Sequence, residues 1–115
     1  MKAWILNVDS SVNDLKPFDN PDSVALTRND LTRLMKHLGI KDGGMLECVS
    51  VLFNGKPCDM LVDESGAVNG LPVNSRASLI YWTATCQGKT GAPFDPLFGP
   101  LIHGRAILYA GKVWQ

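Results

Sequence analysis

Residues 45–63 read "MLECVSVLFNGKPCDMLVD", and this stretch decides the fold class. Its first nine residues alternate only partly, with enough apolar positions for a strand buried on both faces. Asn54 and Gly55 then tolerate the positive φ that a two-residue hairpin turn demands. "PCDMLVD" is the returning strand. Pro57 is tolerated at its very start and suggests that the strand lies at a sheet edge.

Upstream of this hairpin, residues 26–40 read "LTRNDLTRLMKHLGI". Leu31, Leu34, Met35 and Leu38 recur at the i, i+3, i+4, i+7 spacing that gathers them on one helical face. Thr27 with Asp30 forms a capping box, Leu26 and Leu31 a hydrophobic staple, and Gly39 a stop behind which Ile40 folds back on Met35. Arg28, Arg33, Lys36 and His37 make up the solvent face. Further upstream, "KAWILNV" (2–8) and "VNDLKPF" (12–18) are joined by turn residues and read as a first hairpin. The basic residue and short apolar run at the N-terminus superficially resemble a signal peptide, but Ala3–Leu6 is too short for one.

Downstream, residues 62–82 read "VDESGAVNGLPVNSRASLIYW". Asp63, Glu64, Ser65 and Gly66 are turn chemistry ending the hairpin strand, and "NGLPVN" is a stiff connection. Residues 75–86 are assigned to a short helix capped by Asn74, although the β-propensity of Ile80–Thr85 competes. "QGKTGAPFDPLFGP" (87–100) is a long loop. "LIHGRAILYAGKVWQ" is a closing interior strand with a short terminal segment. The sum is an α+β single domain over residues 1–115. It holds a mixed sheet of four or five strands with one clear helix packed on it, an order compatible with a β-grasp-like arrangement.

A chain of 115 residues that is 45% hydrophobic can build one core and bury roughly 65% of its unfolded surface. Eleven basic and eleven acidic side chains cancel, so no net field draws the protein to nucleic acid or to an anionic membrane. Cys48, Cys58 and Cys86 are widely spaced, odd in number and without a C-x-x-C pair. A structural zinc site or disulfide framework is therefore disfavoured, no cofactor or metal is implied, and a reducing cytoplasm is expected.

Each chemical motif has a plainer reading beside it. Gly88-Lys89-Thr90 matches the end of a phosphate loop, but Thr83 occupies the position of its first glycine and prolines follow instead of a helix. Asp63 and Glu64 are adjacent in a turn, whereas catalytic carboxylate pairs need environments that separate their pKa values. Cys86 or Cys58 with His103 lacks any local activation of the thiol. The balance leans away from an enzyme. Arg76, Tyr81, Trp82, Lys89 and Arg105, with His103 nearby in sequence, are the residue types that grip phosphates and stack a base. Against that, the aromatics fill a core and Arg76 pairs with Asp63 or Glu64. Phe94, Leu97 and Phe98, on the proline-stiffened loop 87–100, suit contact with a partner protein, or else they cover a sheet edge.

The N-terminal strand, the extended "ECVSV", the block "DMLVDESGAVNGLPVNSRAS" and the closing "IHGRAILYAG" together resemble an uncharacterised family of phage, plasmid and other mobile-element proteins. That family carries a D-E-x-G-x-x-x-GLP-x-N-x-R-A block and a final I-x-G-x-A strand. The resemblance spans nearly the whole chain. It departs at "CQGKTGAPFDPLFGP" and "KPFDNPDSVALTRNDL", where family members are shorter, and it carries over no catalytic residues. It implies an accessory protein in the cytoplasm of a host cell that counters host defence by binding. The first expectation is sequestration of a nucleotide-derived immune signal. The alternatives are inhibition of a host defence enzyme through loop 87–100, or a small enzyme degrading the same signal. A homo-oligomer is compatible with either binding mode.

Overall fold

The computed structural model describes residues 1–85, 91, 93, 94 and 101–114. Among these residues are five strands, β1 (Ala3–Leu6), β2 (Val12–Leu15), β3 (Leu46–Phe53), β4 (Lys56–Asp63) and β5 (Ala106–Tyr109), with two helices, α1 (Arg28–Leu38) between β2 and β3 and α2 (Ser75–Trp82) between β4 and β5. The strands form one sheet in the order β2-β1-β5-β4-β3. An α+β domain is thus what the sequence builds.

The β3–β4 hairpin forms where the sequence placed it. Asn54 and Gly55 both have positive φ, 53° and 75°, between the closing pair Phe53 and Lys56. β1 and β2 form the first hairpin, with Ala3 opposite Leu15. β5 is interior, between β1 and β4.

Two details of the sheet correct the sequence reading. Every neighbouring pair is antiparallel, so the sheet is not mixed, and β1 and β5 do not take up a β-grasp-like pairing. The cause is local: Val62 lies opposite Ala106, so the chain leaving β4 returns beside the end it left. The second concerns Pro57, which lies on the interior strand β4 and not at an edge. In a hairpin closed at Phe53–Lys56, the pair Leu52–Pro57 is of the non-hydrogen-bonded kind, which turns the proline nitrogen away from β3. On its other side β4 pairs with β5 only from Met60 to Val62. No ladder bond is asked of Pro57.

Both faces of the sheet are covered: α1 lies on one, and on the other lies α2, the short Asn74-capped helix expected over 75–86, which ends at Trp82. Ala3, Leu61, Ile107 and Tyr109 face α1 and pack with Leu34, Leu38, Phe18 and Val113. Leu6, Val49, Met60, Val62, Ala106 and Leu108 face α2 and pack with Ala77 and Ile102. A strand covered on both faces has no solvent side to mark with polar residues. The run "AILY" of β5, buried at all four positions, follows from that.

Helix α1 is closed at both ends as its sequence demands. Thr27 and Asp30 make the reciprocal capping box, and Gly39 adopts a left-handed φ of 71° while its N–H and that of Ile40 donate to Lys36 and Met35. Arg33 is more than part of a solvated face: it pairs with Asp19 at 2.9 Å and donates to the Lys16 and Pro17 carbonyls. Tyr109, fully buried in β5, donates its hydroxyl to the same Pro17 carbonyl at 2.6 Å. The segment between β2 and α1 is held from both sides.

Candidate functional site

The segment after β4 is built by hydrogen bonds that its residue types dictate. Asp63 accepts from the Ser65 N–H at 2.9 Å, the Asx turn expected of that side chain. The Gly66 N–H returns to the Asp63 carbonyl, and Leu71 N–H to Gly66. A Cβ on Gly66 would stand 2.7 Å from the His103 carbonyl oxygen, so glycine is required there by close backbone approach. Residues 72–74 then run beside 102–104: Gly104 N–H donates to Pro72 and Asn74 N–H to Ile102, each at 2.7 Å. His103 Nδ1 lies 2.9 Å from the Leu71 carbonyl, which can only accept, so this nitrogen carries the proton.

Asn74 closes the arrangement. Its side chain is fully buried, and its Oδ1 accepts from Ala77 N–H as the cap of α2. Its Nδ2 donates to the carbonyls of Leu6 and Gly104, both at 2.9 Å. One amide thereby fixes the start of α2 against the end of β1 and the entry to β5. Ser78, one turn on, accepts from the Ile102 N–H at 2.8 Å.

With α2 seated this way, Arg76 and Ile80 border a groove on the sheet face that the helix leaves open. Its other lining residues are Trp4, Leu6, Val12, Phe53 and Leu108, and its volume is about 290 Å³. Trp4 and Phe53 meet in a tilted pair, ring centroids 5.8 Å apart at 56°. Arg76 is exposed and is the only charged residue lining the groove among the described residues. It forms no ion pair with Asp63 or Glu64, so the pairing that the sequence allowed is not made among the described residues.

Of the other sequence-derived ligand candidates, the described ones, Tyr81, Trp82 and Arg105, do not line this groove. Arg105 donates to the His37 carbonyl at 3.2 Å, at the end of α1 and so on the opposite face of the sheet. Tyr81 is half-buried against the α2-side core. Trp82 is 6% exposed and packs edge-on against Phe94 with centroids 5.7 Å apart. Lys89, Leu97 and Phe98 lie outside the described residues, as do Cys86 and most of loop 87–100. Trp4 and Phe53, the rings that do stand with Arg76, were not singled out from sequence. The only signal was their placement on the same sheet face as Leu108 and Met60, and that requires the strand order.

The titratable groups that are buried serve the fold. Asp59 is fully buried and accepts from Lys112 Nζ and from the Val113 and Trp114 N–H groups at 2.8 and 2.9 Å. Burial alone would push its carboxyl up, but the bonds from Lys112 and the two N–H groups outweigh it and leave it below its ordinary value. Asp30 behaves alike, with burial opposed by bonds from Thr27 and Asp19. Burial pushes the Cys48 thiol up to about 12 and raises Cys58 as well, which keeps both protonated and unreactive at neutral pH. Among the described residues no three His, Cys, Asp or Glu side chains gather as a metal site, and no helix is long and apolar enough to cross a membrane.

No family model matches this chain, and neither the curated proteins nor the solved structures include one significantly similar to it.

Proposed function

We propose that this chain is a phage or mobile-element accessory protein that acts in the host cytoplasm and counters host defence by binding a nucleotide-derived signal in the groove beside α2. The observation that carries the reading is the placement of one guanidinium, Arg76, with no ion pair among the described residues, at the side of an apolar groove that also holds Trp4 and Phe53. A base stacks on an aromatic face with about 1–3 kcal/mol per contact, and a guanidinium grips phosphate through two parallel N–H groups. The volume of about 290 Å³ is at the lower end of the range of small-molecule pockets. It suits one base and its sugar, with the phosphate outside at Arg76.

Binding is favoured over turnover because the described thiols and buried carboxylates are committed to the core, to caps or to the C-terminal segment. The reading is tested by calorimetry and thermal shift against cyclic dinucleotides and ADP-ribose derivatives. A ligand that binds the wild type should bind Arg76→Ala about tenfold more weakly, with stability unchanged to within about 0.5 kcal/mol because Arg76 is exposed and has no ion pair among the described residues. Trp4→Ala should lose the stacking contribution. Intact ligand recovered after heat denaturation marks sequestration, and a mass change marks an enzyme. Binding to none of these ligands, together with a stable complex isolated from host lysate, overturns the sponge in favour of protein–protein inhibition.

A further inference from the structure

Among the described residues strand β3 is an edge, with β4 on one side only. Because Phe53 and Lys56 close a two-residue loop, Phe53, Val51, Val49 and Glu47 turn their backbone groups toward β4. Leu52, Ser50, Cys48 and Leu46 turn theirs outward. The outward Leu52 carbonyl is taken by the Thr83 hydroxyl at 2.9 Å. The N–H and C=O groups of Leu46, Cys48 and Ser50 make no hydrogen bond among the described residues. No proline, lysine or bulge interrupts residues 46–51, the devices by which natural edges are blunted. The opposite edge, β2, is only four residues long.

We propose that β3 pairs antiparallel with β3 of a second copy of this chain, about a two-fold axis beside Cys48, so that one sheet runs through both copies. The free groups are symmetric about Cys48, which makes the edge complementary to itself. Cys48 pairs with the second copy's Cys48 and Leu46 with its Ser50, so every free N–H meets a free C=O. Leu52, already engaged by Thr83, is not needed. Glu47 falls opposite Val49, not opposite its own mate, so no like charges face each other directly. A net charge of zero adds no long-range repulsion between copies. This contact is separate from the groove beside α2, and either can fail without the other.

Sedimentation velocity at about 0.1 mM should show a species of twice the 12.5 kDa chain mass, and amide exchange at Cys48 and Ser50 should slow as concentration rises. Ser50→Pro removes an outward N–H without touching the ladder to β4, and it should give a monomer with unchanged circular dichroism. Should that variant unfold, Ser50→Lys sets a charge opposite the second copy's Leu46 and should weaken association at least tenfold. A wild type that stays monomeric, or a dimer that survives the folded variant, overturns the proposal. A monomer that instead takes up an extended peptide along β3 overturns it in favour of a peptide-accepting edge.

Discussion

The Asn74 side chain donates to the Leu6 carbonyl at 2.9 Å across 68 positions of sequence, and it does so while capping α2. Replacing Asn74 by Ala takes the cap from the Ala77 N–H, the side-chain donor from the Gly104 carbonyl and a second donor from the Leu6 carbonyl, which also faces Ala106 in the sheet, at about 1–3 kcal/mol for each group left unpaired. Denaturant unfolding of Asn74→Ala should show a loss of about 3–5 kcal/mol. Asn74→Asp keeps the cap but turns a carboxylate toward the Leu6 and Gly104 carbonyls, so it should be no more stable than the alanine variant.

Asp59 sets an acid limit on stability. Its folded value lies below its unfolded one, so its contribution is complete above about pH 4 and is lost as pH falls through the folded value. Asp30 contributes in the same direction. Thermal unfolding from pH 7 to pH 2 should show Asp59→Asn less stable by about 3 kcal/mol at pH 7 and falling less steeply in acid, with remaining slope from Asp30 and from Asp9, whose carboxyl the Ser11 hydrogen bonds lower. Lys112→Ala should cost about 1 kcal/mol or less, since Lys112 is half exposed and screened and the Val113 and Trp114 N–H groups still hold the carboxylate.

Gly66 is held by distance. An alanine methyl group would press on the His103 carbonyl oxygen, a backbone atom that cannot swing aside. Gly66→Ala should lose about 2 kcal/mol, read as a fall in the midpoint of urea unfolding. Gly43→Ala meets no atom but sits at a φ of 83°, so it should cost about 1 kcal/mol from backbone strain alone.

The thiols give a test of core integrity. With Cys48 pushed up to about 12, its thiolate fraction at pH 8 is about a thousandfold below that of an unfolded chain. Peptide mapping after iodoacetamide treatment should find Cys48 and Cys58 unmodified in the native protein and fully modified in urea. Modification of Cys48 at the unfolded rate in native buffer would contradict the packing of Cys48 against the core cluster of Leu34, Leu61 and Ile107.

Local signals fixed the elements whose physics is local. Thr27, Asp30 and Gly39 delimit α1 because caps and left-handed stops act within one turn of chain, and Asn54-Gly55 forces the hairpin for the same reason. Asn74 was legible as a cap, and Asp63 to Gly66 as a turn, because those bonds span two or three residues. Pro57 misled because its meaning depends on which neighbour its nitrogen faces, and that depends on where β5 stops. The Lys112 and C-terminal N–H partners of Asp59 are more than fifty positions away, beyond any window of periodicity.

The sequence by itself determined the hairpins, the first helix, the turn after β4 and the balance of charge, all consequences of neighbouring residues or of composition. Only the tertiary structure decided which strands are adjacent, and with them the groove. Trp4, Phe53 and Arg76 come from three distant segments, and they meet because the strand order β2-β1-β5-β4-β3 and the Asn74 amide place one sheet face beneath one side of α2. Arg105, near Arg76 in the expected site, was carried to the other face by the alternation of strand side chains. Apolar burial fixes that alternation once β5 is interior, and no local preference records it.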